Sequence, residues 1–403
     1  MKKLFLDIYY VWVKELKRIF KDEATLILFF LVPFVYPLLY TSIYTNEVVR
    51  EVKVVAVDDS RSSLAREFVR KVDATADVEI IGYATDMEEA EEAMRRKDAY
   101  GILYIPEDFS RKLHTQQQTQ VMVYADMSSI LFYKNMLLSA TEVSLDMGTD
   151  IRINTVGYGT QAQDKSTAQA VANEWVTLYN PRSGFAGFLI PAVLVLIIQQ
   201  TLLLGISTII GTHNDKKTHT IASRLRIGKN VNAFRFTVGK ALAYVLIYMF
   251  ISVWIFRVVP YLFRLPQMGD PVTIGVFIFP FLLAATFFSM TLSYFCSQRE
   301  FSMLLFVFTG VIFLFLSGVS WPWDAIPAPL KGIAYIIPST PGIHGFIKIN
   351  TMGATFQDVM PEFITLWIHA GVYCLTATLM YLWWIKNMAK KIGVVRTSQP
   401  LAL

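Results

Sequence analysis

The chain has 403 residues, of which 54% are hydrophobic and 17% are charged, and its formal net charge is +5. The apolar residues gather in blocks of membrane-spanning length, which excludes a purely soluble globular protein. Most of the excess Lys and Arg lies beside these blocks, as membrane topology requires, so the positive charge gives no reason to expect nucleic-acid binding. The two cysteines, Cys296 and Cys374, lie outside the long polar stretch of the chain, which therefore has no disulfide framework.

The first 23 residues predict an amphipathic helix. Lys14, Lys17, Arg18 and Lys21 alternate with apolar residues at helical spacing, namely Phe5, Ile8, Tyr9, Trp12, Leu16, Ile19 and Phe20. Such a helix lies in the cytoplasmic interface, with its apolar side in the acyl boundary and its lysines toward the head groups. It either anchors the first span only or also packs on a cytoplasmic partner. Because residues 1–21 lack a compact apolar core, we expect the first span to be an uncleaved anchor.

Six segments are long and apolar enough to cross the ~30 Å hydrocarbon core as helices. They are residues 24–44, 185–212, 239–259, 272–295, 302–320 and 362–385. Pro33 and Pro37 lie inside the first segment and are expected to kink it. The sequence therefore predicts six transmembrane helices.

The positions of Lys and Arg indicate the orientation, because positive residues beside a span resist translocation. They concentrate in the N-terminal arm, in the connection 213–238 with the adjoining Lys240, and in the tail, residues 386–403. Outside the polar stretch 45–184, the other side carries only Arg257, Arg264, Lys331 and Lys348. Both termini are therefore expected in the cytoplasm, and residues 45–184 are expected on the external side.

The polar stretch 45–184 predicts an inserted extracytoplasmic α/β domain. Strand-like and helix-like patterns alternate along it, at residues 52–57, 62–72, 78–83, 86–97, 100–105, 121–124 and from Ser129 to about 151. Ser62 is the expected N-cap of the first of these helices. Asp58 and Asp59 are better explained by a turn or a helix cap than by a cation site. Since His114 has no second ligand at useful spacing, we predict neither a metal site nor a catalytic site.

Gln199 and Gln200 lie in the middle of the otherwise apolar second span. A side-chain amide in hydrocarbon needs a partner, so at least one of them should face protein or a watery pathway. Adjacent residues of a helix point about 100° apart, so one side chain can serve packing while the other lines the route. Hydrogen bonding between helices is the favoured explanation of the pair.

Residues 321–361 are too rich in Pro and Gly for a regular span and too apolar for an ordinary loop. Irregular backbone at membrane depth must be buried in protein or line a cavity. We therefore predict short re-entrant helices near the external face, with Trp321, Trp323 and Tyr335 at the interface. A plain external loop is the alternative.

Several short motifs, taken in order, resemble one protein family. They include Asp59-Ser60, residues 105–110 (IPEDFS), residues 124–126 (YAD), residues 179–181 (YNP), residues 188–191 (FLIP), Ser317-Gly318, Trp321-Pro322, residues 337–342 (IPSTPG) and Met352-Gly353. The sequence resembles the permease subunits of type-2 ABC exporters that carry a large periplasmic domain between the first two transmembrane helices. The likeness covers nearly the whole chain.

This resemblance implies a half-transporter in the bacterial inner membrane. Two such subunits, identical or paired with a close paralogue, would form the pathway, and separate cytoplasmic ABC ATPase subunits would drive it. ATP and Mg²⁺ would then bind to the partner, and this chain would hold no cofactor. Neither Gly228-Lys229 nor Gly239-Lys240 has the context of a phosphate-binding loop. A periplasmic adaptor and an outer-membrane conduit are further partners that the resemblance suggests.

The resemblance also places a coupling helix in the connection 213–238. Where the family usually opens with acidic residues, this chain has Asn214, Asp215, Lys216 and Lys217. An apolar ridge further on could fit a cleft on the ATPase. The candidate ATPase-coupling residues are Asp215, Lys216, Lys217, Ile221, Arg224 and Leu225. A basic loop that only satisfies topology is the alternative.

Three classes of function therefore compete. The leading one is the membrane subunit of an ATP-driven exporter for a lipophilic or amphipathic substrate. A second is a receptor or assembly scaffold that uses the external domain as a sensor. A secondary transporter is disfavoured because Asp and Glu are absent deep in the predicted spans, whereas ion coupling commonly uses them.

Overall fold

The computed structural model describes residues 2–44, 48–115, 117–156, 176, 178–180, 184–215, 232–295 and 299–391. The chain divides into two compact units. Val48–Val176 forms one of them, here called the α/β unit. Met1–Glu47 and Thr177–Leu403 together form the other, here called the helical unit.

The helical unit begins with helix α1 at Lys2–Ile19, which ends in the basic residues Lys17 and Arg18 that favour a helix C-terminus. Helix α2, Glu23–Leu26, continues through a π turn at Ile27–Leu31 into α3, Val32–Ile43.

The π turn lies just before Pro33. The backbone N–H of Val32 donates to the carbonyl of Ile27, five residues back. A proline ring crowds the carbonyl four residues earlier, and the wider turn accommodates it. The sequence predicts a kink at Pro33 and Pro37, and the irregularity lies one turn earlier than those residues.

The α/β unit alternates strands and helices in the order of the sequence patterns. Its elements are β1 Val52–Asp58, α4 Ser63–Asp73, β2 Val78–Ala84, α5 Met87–Arg95, β3 Gly101–Ile105, α6 Phe109–His114, β4 Met122–Ala125 and α7 Ile130–Val156. Ser62 is the N-cap of α4, as predicted, because its side chain accepts a hydrogen bond from the Ala65 N–H. Asp86 caps α5 in the same way.

Within the described residues the strands form one sheet in the order β2-β1-β3-β4. The β1–β2 and β1–β3 pairs are parallel, and β3–β4 is antiparallel. Alternate residues of the central strand β1 point to opposite faces. Val52, Val54 and Ala56 pack with α4, α6 and α7, whereas Val55 and Val57 pack with α5.

The rest of the helical unit consists mainly of helices. They are α8 Phe185–Asp215, α9 Ala233–Val253, α10 Val259–Leu262, α11 Pro271–Ser293, α12 Arg299–Leu316, α13 Ala328–Ile336, α14 Ser339–Met352 and α15 Met360–Lys391. A second π turn, Trp254–Val258, joins α9 to α10 and again directly precedes a proline-containing turn, with Val259 donating to Trp254 and Pro260 following.

Helix α8 is the centre of the helical unit. All of residues 190–211 are buried, and the helix contacts α3, α11, α12 and α14. A glycine also allows two neighbours of α8 to approach each other, because a Cβ at Gly342 of α14 would stand 2.7 Å from the Phe281 ring of α11. Helix α15 packs chiefly on α11 and leaves one side exposed.

Four helices among the described residues are long and apolar enough to cross a membrane: Phe185–Gly211, Ala233–Leu262, Pro271–Ser293 and Met360–Asn387. Two further apolar helices are shorter, Ile27–Ile43 and Phe301–Leu316. This composition is that of a polytopic membrane protein.

Two predicted boundaries differ from the structure. The helix predicted to begin at residue 239 begins earlier, at Ala233, with the Asn232 side chain as its N-cap. The connection predicted over 213–238 is therefore shorter than expected. The segment predicted over 302–320 ends early, at Leu316, because the chain turns at Ser317 and Gly318, whose φ of +81° is left-handed.

The segment predicted to contain short helices, residues 321–361, contains a 3₁₀ turn at Trp323–Ala325 followed by α13 and α14. Residues 339–343 of α14 are buried against the long helices, with α8 and α11 among its contacts. Gly353 ends α14 in the left-handed conformation, with φ of +65°.

Candidate functional site

The predicted coupling segment lies between the end of α8 and the start of α9. Asp215 is the last residue of α8. Lys216, Lys217, Ile221, Arg224 and Leu225 lie outside the described residues. The described residues nearest to this segment belong to the two helices that flank it and to the helices that contact them.

A buried ion pair joins α1 to α9 shortly after the connection. The Lys240 Nζ lies 3.0 Å from the Glu15 Oε1, and the two residues are 3% and 2% exposed. The Tyr244 hydroxyl donates to the same oxygen at 2.6 Å. Arg18, one turn further along α1, donates to Glu15 Oε2 at 3.1 Å. Both carboxylate oxygens of Glu15 thus have charged or hydroxyl donors, as a buried charge requires.

The surroundings of Glu15 keep it ionised. Burial alone would raise the pKa of this carboxyl, but the charges of Lys240 and Arg18 and the hydrogen bond from Tyr244 outweigh that effect. The pKa is lowered from 4.5 to about 2. At neutral pH the contact between α1 and α9 is therefore a true ion pair.

The two helices run side by side in the same direction. Asp7 pairs with Arg235 at 2.8 Å near their N-terminal ends, and Glu15 bonds to Tyr244 further along both. Between these contacts Gly239 allows the helices to approach, because a Cβ there would stand 2.9 Å from the Ile8 carbonyl oxygen and from the Val11 Cβ. Helix α1 is thus fixed to α9 at two charged contacts and one close backbone contact.

Tyr244 extends this joint to the first long helix. Its ring stacks on Phe29 of the first π turn, with centroids 5.7 Å apart. Phe29 also meets Tyr248 edge-on and packs against Gly205 of α8, where a Cβ would stand only 2.3 Å from the Phe29 ring. Helices α1 and α8 therefore both contact the stacked pair formed by Tyr244 of α9 and Phe29.

Sequence reasoning missed this joint. It predicts an apolar stripe on the N-terminal helix that faces lipid, and Phe5, Tyr9 and Phe20 of that stripe are indeed exposed. The buried face of the helix contains Val11, Glu15 and Ile19, four residues apart, of which only Ile19 belongs to the predicted stripe. The available signal was an acidic residue at a position that helical spacing groups with apolar ones. Lys240 was explained by topology, although it is buried.

The two glutamines occupy the buried helix α8. Gln200 accepts a hydrogen bond from the Thr309 hydroxyl of α12 at 3.2 Å, so it contributes to a contact between helices. Gln199 is completely buried, and neither its side-chain oxygen nor its nitrogen has a hydrogen-bond partner among the described residues.

No group of three or more His, Cys, Asp or Glu side chains within the described ranges could hold a metal ion. Several charged groups of the helical unit instead join helices. Lys348 of α14, for example, pairs with Glu362 of α15 at 2.6 Å.

The long apolar helices and their buried polar contacts define a multi-pass membrane protein. Residues 24–379 match the family described as ABC-2 family transporter protein. The chain therefore belongs to the ABC-2 transporter family and is a membrane component of an ABC transporter. Comparison with curated proteins finds no match.

Proposed function

We propose that this chain is the permease subunit of an ATP-driven exporter of the type-2 class, with a lipophilic or amphipathic substrate. The observation that carries the proposal is the family match over residues 24–379, which includes every long apolar helix up to most of α15. Two copies, or this chain and a close paralogue, would form the pathway. ATP and Mg²⁺ would bind to separate ATPase subunits.

We propose that the chain lies in the inner membrane of a bacterial cell. It would cross this membrane six times and have both termini in the cytoplasm. The shorter apolar helices Ile27–Ile43 and Phe301–Leu316 would complete the six with the four longer ones. The distribution of Lys and Arg supports this orientation, in which the α/β unit would lie on the external side. An adaptor and an outer-membrane conduit would then meet the α/β unit.

The contacts of α1 support a route for coupling. A force applied by an ATPase to the connection between Asp215 and Ala233 would act on the ends of α8 and α9 together. Helix α8 is buried on all sides, and α9 is joined to α1 through Glu15 and Lys240. We infer that α1, α8 and α9 move as one body.

A pull-down of the tagged full-length chain in mild detergent tests the proposal, with ATPase activity and mass spectrometry as readouts. We expect a stoichiometric ATPase subunit with the unmodified chain. The double variant Ile221→Asp/Leu225→Asp should lose it while still inserting in the membrane, since an apolar ridge is replaced by charge.

A matched control is the double variant Leu330→Asp/Ile333→Asp. These residues are also exposed apolar positions, 43% and 51%, but they lie on α13, which is assigned to the opposite membrane side. This variant should retain the ATPase. Recovery of the intact chain without any ATPase would contradict the exporter proposal. Equal recovery of the ATPase with both double variants would contradict only the assignment of Ile221 and Leu225 as coupling residues.

A further inference from the structure

Helix α7 of the α/β unit has two apolar faces, and the core of the unit uses only one of them. Met136 and Val143 on the first face are 2% and 6% exposed and belong to that core. On the other face Leu131, Leu138 and Leu145, here called the leucine row, are 42%, 43% and 56% exposed. A contiguous exposed apolar surface on a folded domain marks a site of interaction.

The residues of the leucine row lie seven positions apart. This is the spacing at which a helix presents a narrow stripe to a second helix. The same stripe contains the exposed residues Lys134, Thr141 and Gly148, each three positions after a leucine. Large apolar side chains therefore alternate along the stripe with short or flexible ones. Such a surface accepts the large side chains of a second helix in the spaces beside its own.

Gly148 is not explained by packing within the described part of its own chain. A Cβ at this position would meet no atom within 4 Å. Glycine is also a poor residue for the interior of a helix, and α7 continues for eight residues beyond it. Since the unit itself leaves room for a side chain here, the missing side chain indicates that another backbone or a large side chain approaches closely.

The charges on this face distinguish between the two directions in which a second copy of α7 can lie. Asp146 and Asp150 pair with Lys71 of the same unit, whereas no ion pair among the described residues involves the exposed Lys134 or Glu142. Two parallel copies in register place Lys134 opposite the partner's Lys134, and these like charges repel. Two antiparallel copies instead place Lys134 beside the partner's Glu142, and two-fold symmetry repeats this contact.

We propose that the α/β units of two identical copies of this chain dock through α7, as an antiparallel pair of helices with the leucine row at its centre. Each leucine then faces a short or flexible residue of the partner, so that Leu131 faces Gly148, Leu138 faces Thr141 and Leu145 faces the stem of Lys134. The surface is thus complementary to itself, as an isologous interface requires. The inference rests on the proposed function in taking two identical copies in one membrane, which raises their effective concentration.

The test is crosslinking of the full-length chain in membrane vesicles. Cys296→Ser and Cys374→Ser remove both native cysteines, and bismaleimidoethane is the crosslinker. Position 138 lies close to the two-fold axis of the proposed pair, so Leu138→Cys should form covalent dimers. Leu131→Cys should not, because the two copies of position 131 would lie about 21 Å apart, the length of fourteen helical residues.

Two further cysteine experiments define the specificity of the crosslink. Differently tagged Leu131→Cys and Gly148→Cys chains, expressed together, should crosslink to each other. Glu91→Cys is the control, since Glu91 is exposed on α5, which packs on the opposite face of the sheet. Crosslinking at this control measures random collision, and Leu138→Cys should exceed it about tenfold.

Charge reversal gives a second test that a folding defect cannot imitate. Lys134→Glu and Glu142→Lys should each reduce the Leu138→Cys crosslink about two- to fivefold, because like charges then meet across the pair. Both changes in one chain restore opposite charges and should restore the crosslink. Chains that carry one change each should crosslink to each other in preference to themselves.

Three outcomes would overturn the proposal. Equal dimer formation by Leu131→Cys and Leu138→Cys would exclude the antiparallel arrangement. A Leu138→Cys chain that reacts with a membrane-impermeant monofunctional maleimide, yet crosslinks no better than Glu91→Cys, would assign this face to a different protein. A Leu138→Cys chain that does not react would show that lipid or another part of the same chain covers the row. The crosslinks do not depend on an ATPase, so this proposal and the exporter proposal fail separately.

Discussion

The helical unit and the α/β unit place similar ion pairs at very different depths. Glu15 and Lys240 lie 3.0 Å apart with side chains 3% and 4% exposed. Lys71 of the α/β unit lies 3.1 Å from Asp146 and from Asp150, but these side chains are 31%, 64% and 55% exposed. The distances are alike, so burial decides what each pair contributes. Removing one partner strands a charge in the first case and leaves it in water in the second.

The largest expected effect comes from Lys240→Met. This change removes the buried cation beside Glu15 and leaves Arg18 and the Tyr244 hydroxyl as its donors, and breaking a buried pair costs about 3–5 kcal/mol. We expect a large fall in the thermal midpoint of the detergent-solubilised chain. Fluorescence-detected size-exclusion chromatography after heating measures this midpoint.

The matched surface change, Lys71→Met, should lower stability by at most about 1 kcal/mol. The double variant Glu15→Met/Lys240→Met should recover most of the loss, because no buried charge remains. Equal effects of Lys240→Met and Lys71→Met would refute the contrast between the units.

The second expected effect is a pH dependence that belongs to Glu15. Its pKa in the folded chain is about 2, below the usual 4.5. A lowered carboxyl pKa stabilises the fold above the unfolded value, and that stabilisation is lost as the pH falls from about 4.5 toward 2. The difference in thermal midpoint between the unmodified chain and Glu15→Gln should be constant from pH 7 to about 5 and shrink below. A difference that grows on acidification would have the wrong sign.

Gly239→Ala should have a smaller effect on the same joint. The new methyl would stand 2.9 Å from the Ile8 carbonyl oxygen, which is backbone and cannot rotate away. Overpacking of this kind costs about 1–3 kcal/mol. The thermal midpoint should fall, whereas Gly275→Ala on α11, where a Cβ meets nothing within 4 Å, should leave it unchanged or higher. A neutral Gly239→Ala would mean that α1 is only loosely held.

In the α/β unit the sharpest local test is the cap of α4. Ser62→Ala removes the acceptor of the Ala65 N–H and should lower the local stability by about 1 kcal/mol. Hydrogen exchange of peptides covering Ser63–Asp73 measures this as faster exchange. Ser62→Asn keeps a good N-cap and should remain protected. Similar exchange in both variants would show that the hydrogen bond of Ser62 does not stabilise α4.

The smallest effect is expected at the glutamines of α8. Gln200→Leu removes the bond to Thr309 and should cost about 0.6 kcal/mol, a typical value for a hydrogen bond between helices in a membrane. Thr309→Val also removes the bond of this hydroxyl to the Leu305 carbonyl, at 2.6 Å, so its loss should be at least as large, and the double variant should add little to it. Gln199→Leu should be neutral or stabilising, since its amide has no described partner. If Gln199→Leu reduced transport at unchanged stability, Gln199 would be assigned to the pathway.

The features that sequence predicts well are those that depend on near neighbours. The Ser62 cap and the strands of the α/β unit follow from residues a few positions apart, and a hydroxyl or an alternating pattern identifies them. The order of apolar helices is predictable for the same reason, because length and hydropathy alone define it.

The joint between α1 and α9 could not be predicted because its partners are distant in sequence. Lys240 stands at the start of a predicted span, where a lysine is expected for topology, and Glu15 stands among basic residues in an amphipathic pattern. The fold brings the two together where Gly239 lets α1 and α9 approach closely.

The π turn at Ile27–Leu31 changes the phase of the first long helix. Thr25, Phe29, Pro33, Pro37 and Thr41 are all buried, at strict four-residue intervals. In an unbroken α-helix, sixteen residues at about 100° each would carry this stripe about 160° around the axis. The extra residue of the π turn absorbs about 100° of that drift, so the stripe stays within about 60° and can face α8 along its length. Deleting one residue of this turn would leave an ordinary α-helix. The buried residues before the deletion would still face α8, whereas those after it would turn by about 100° toward the lipid.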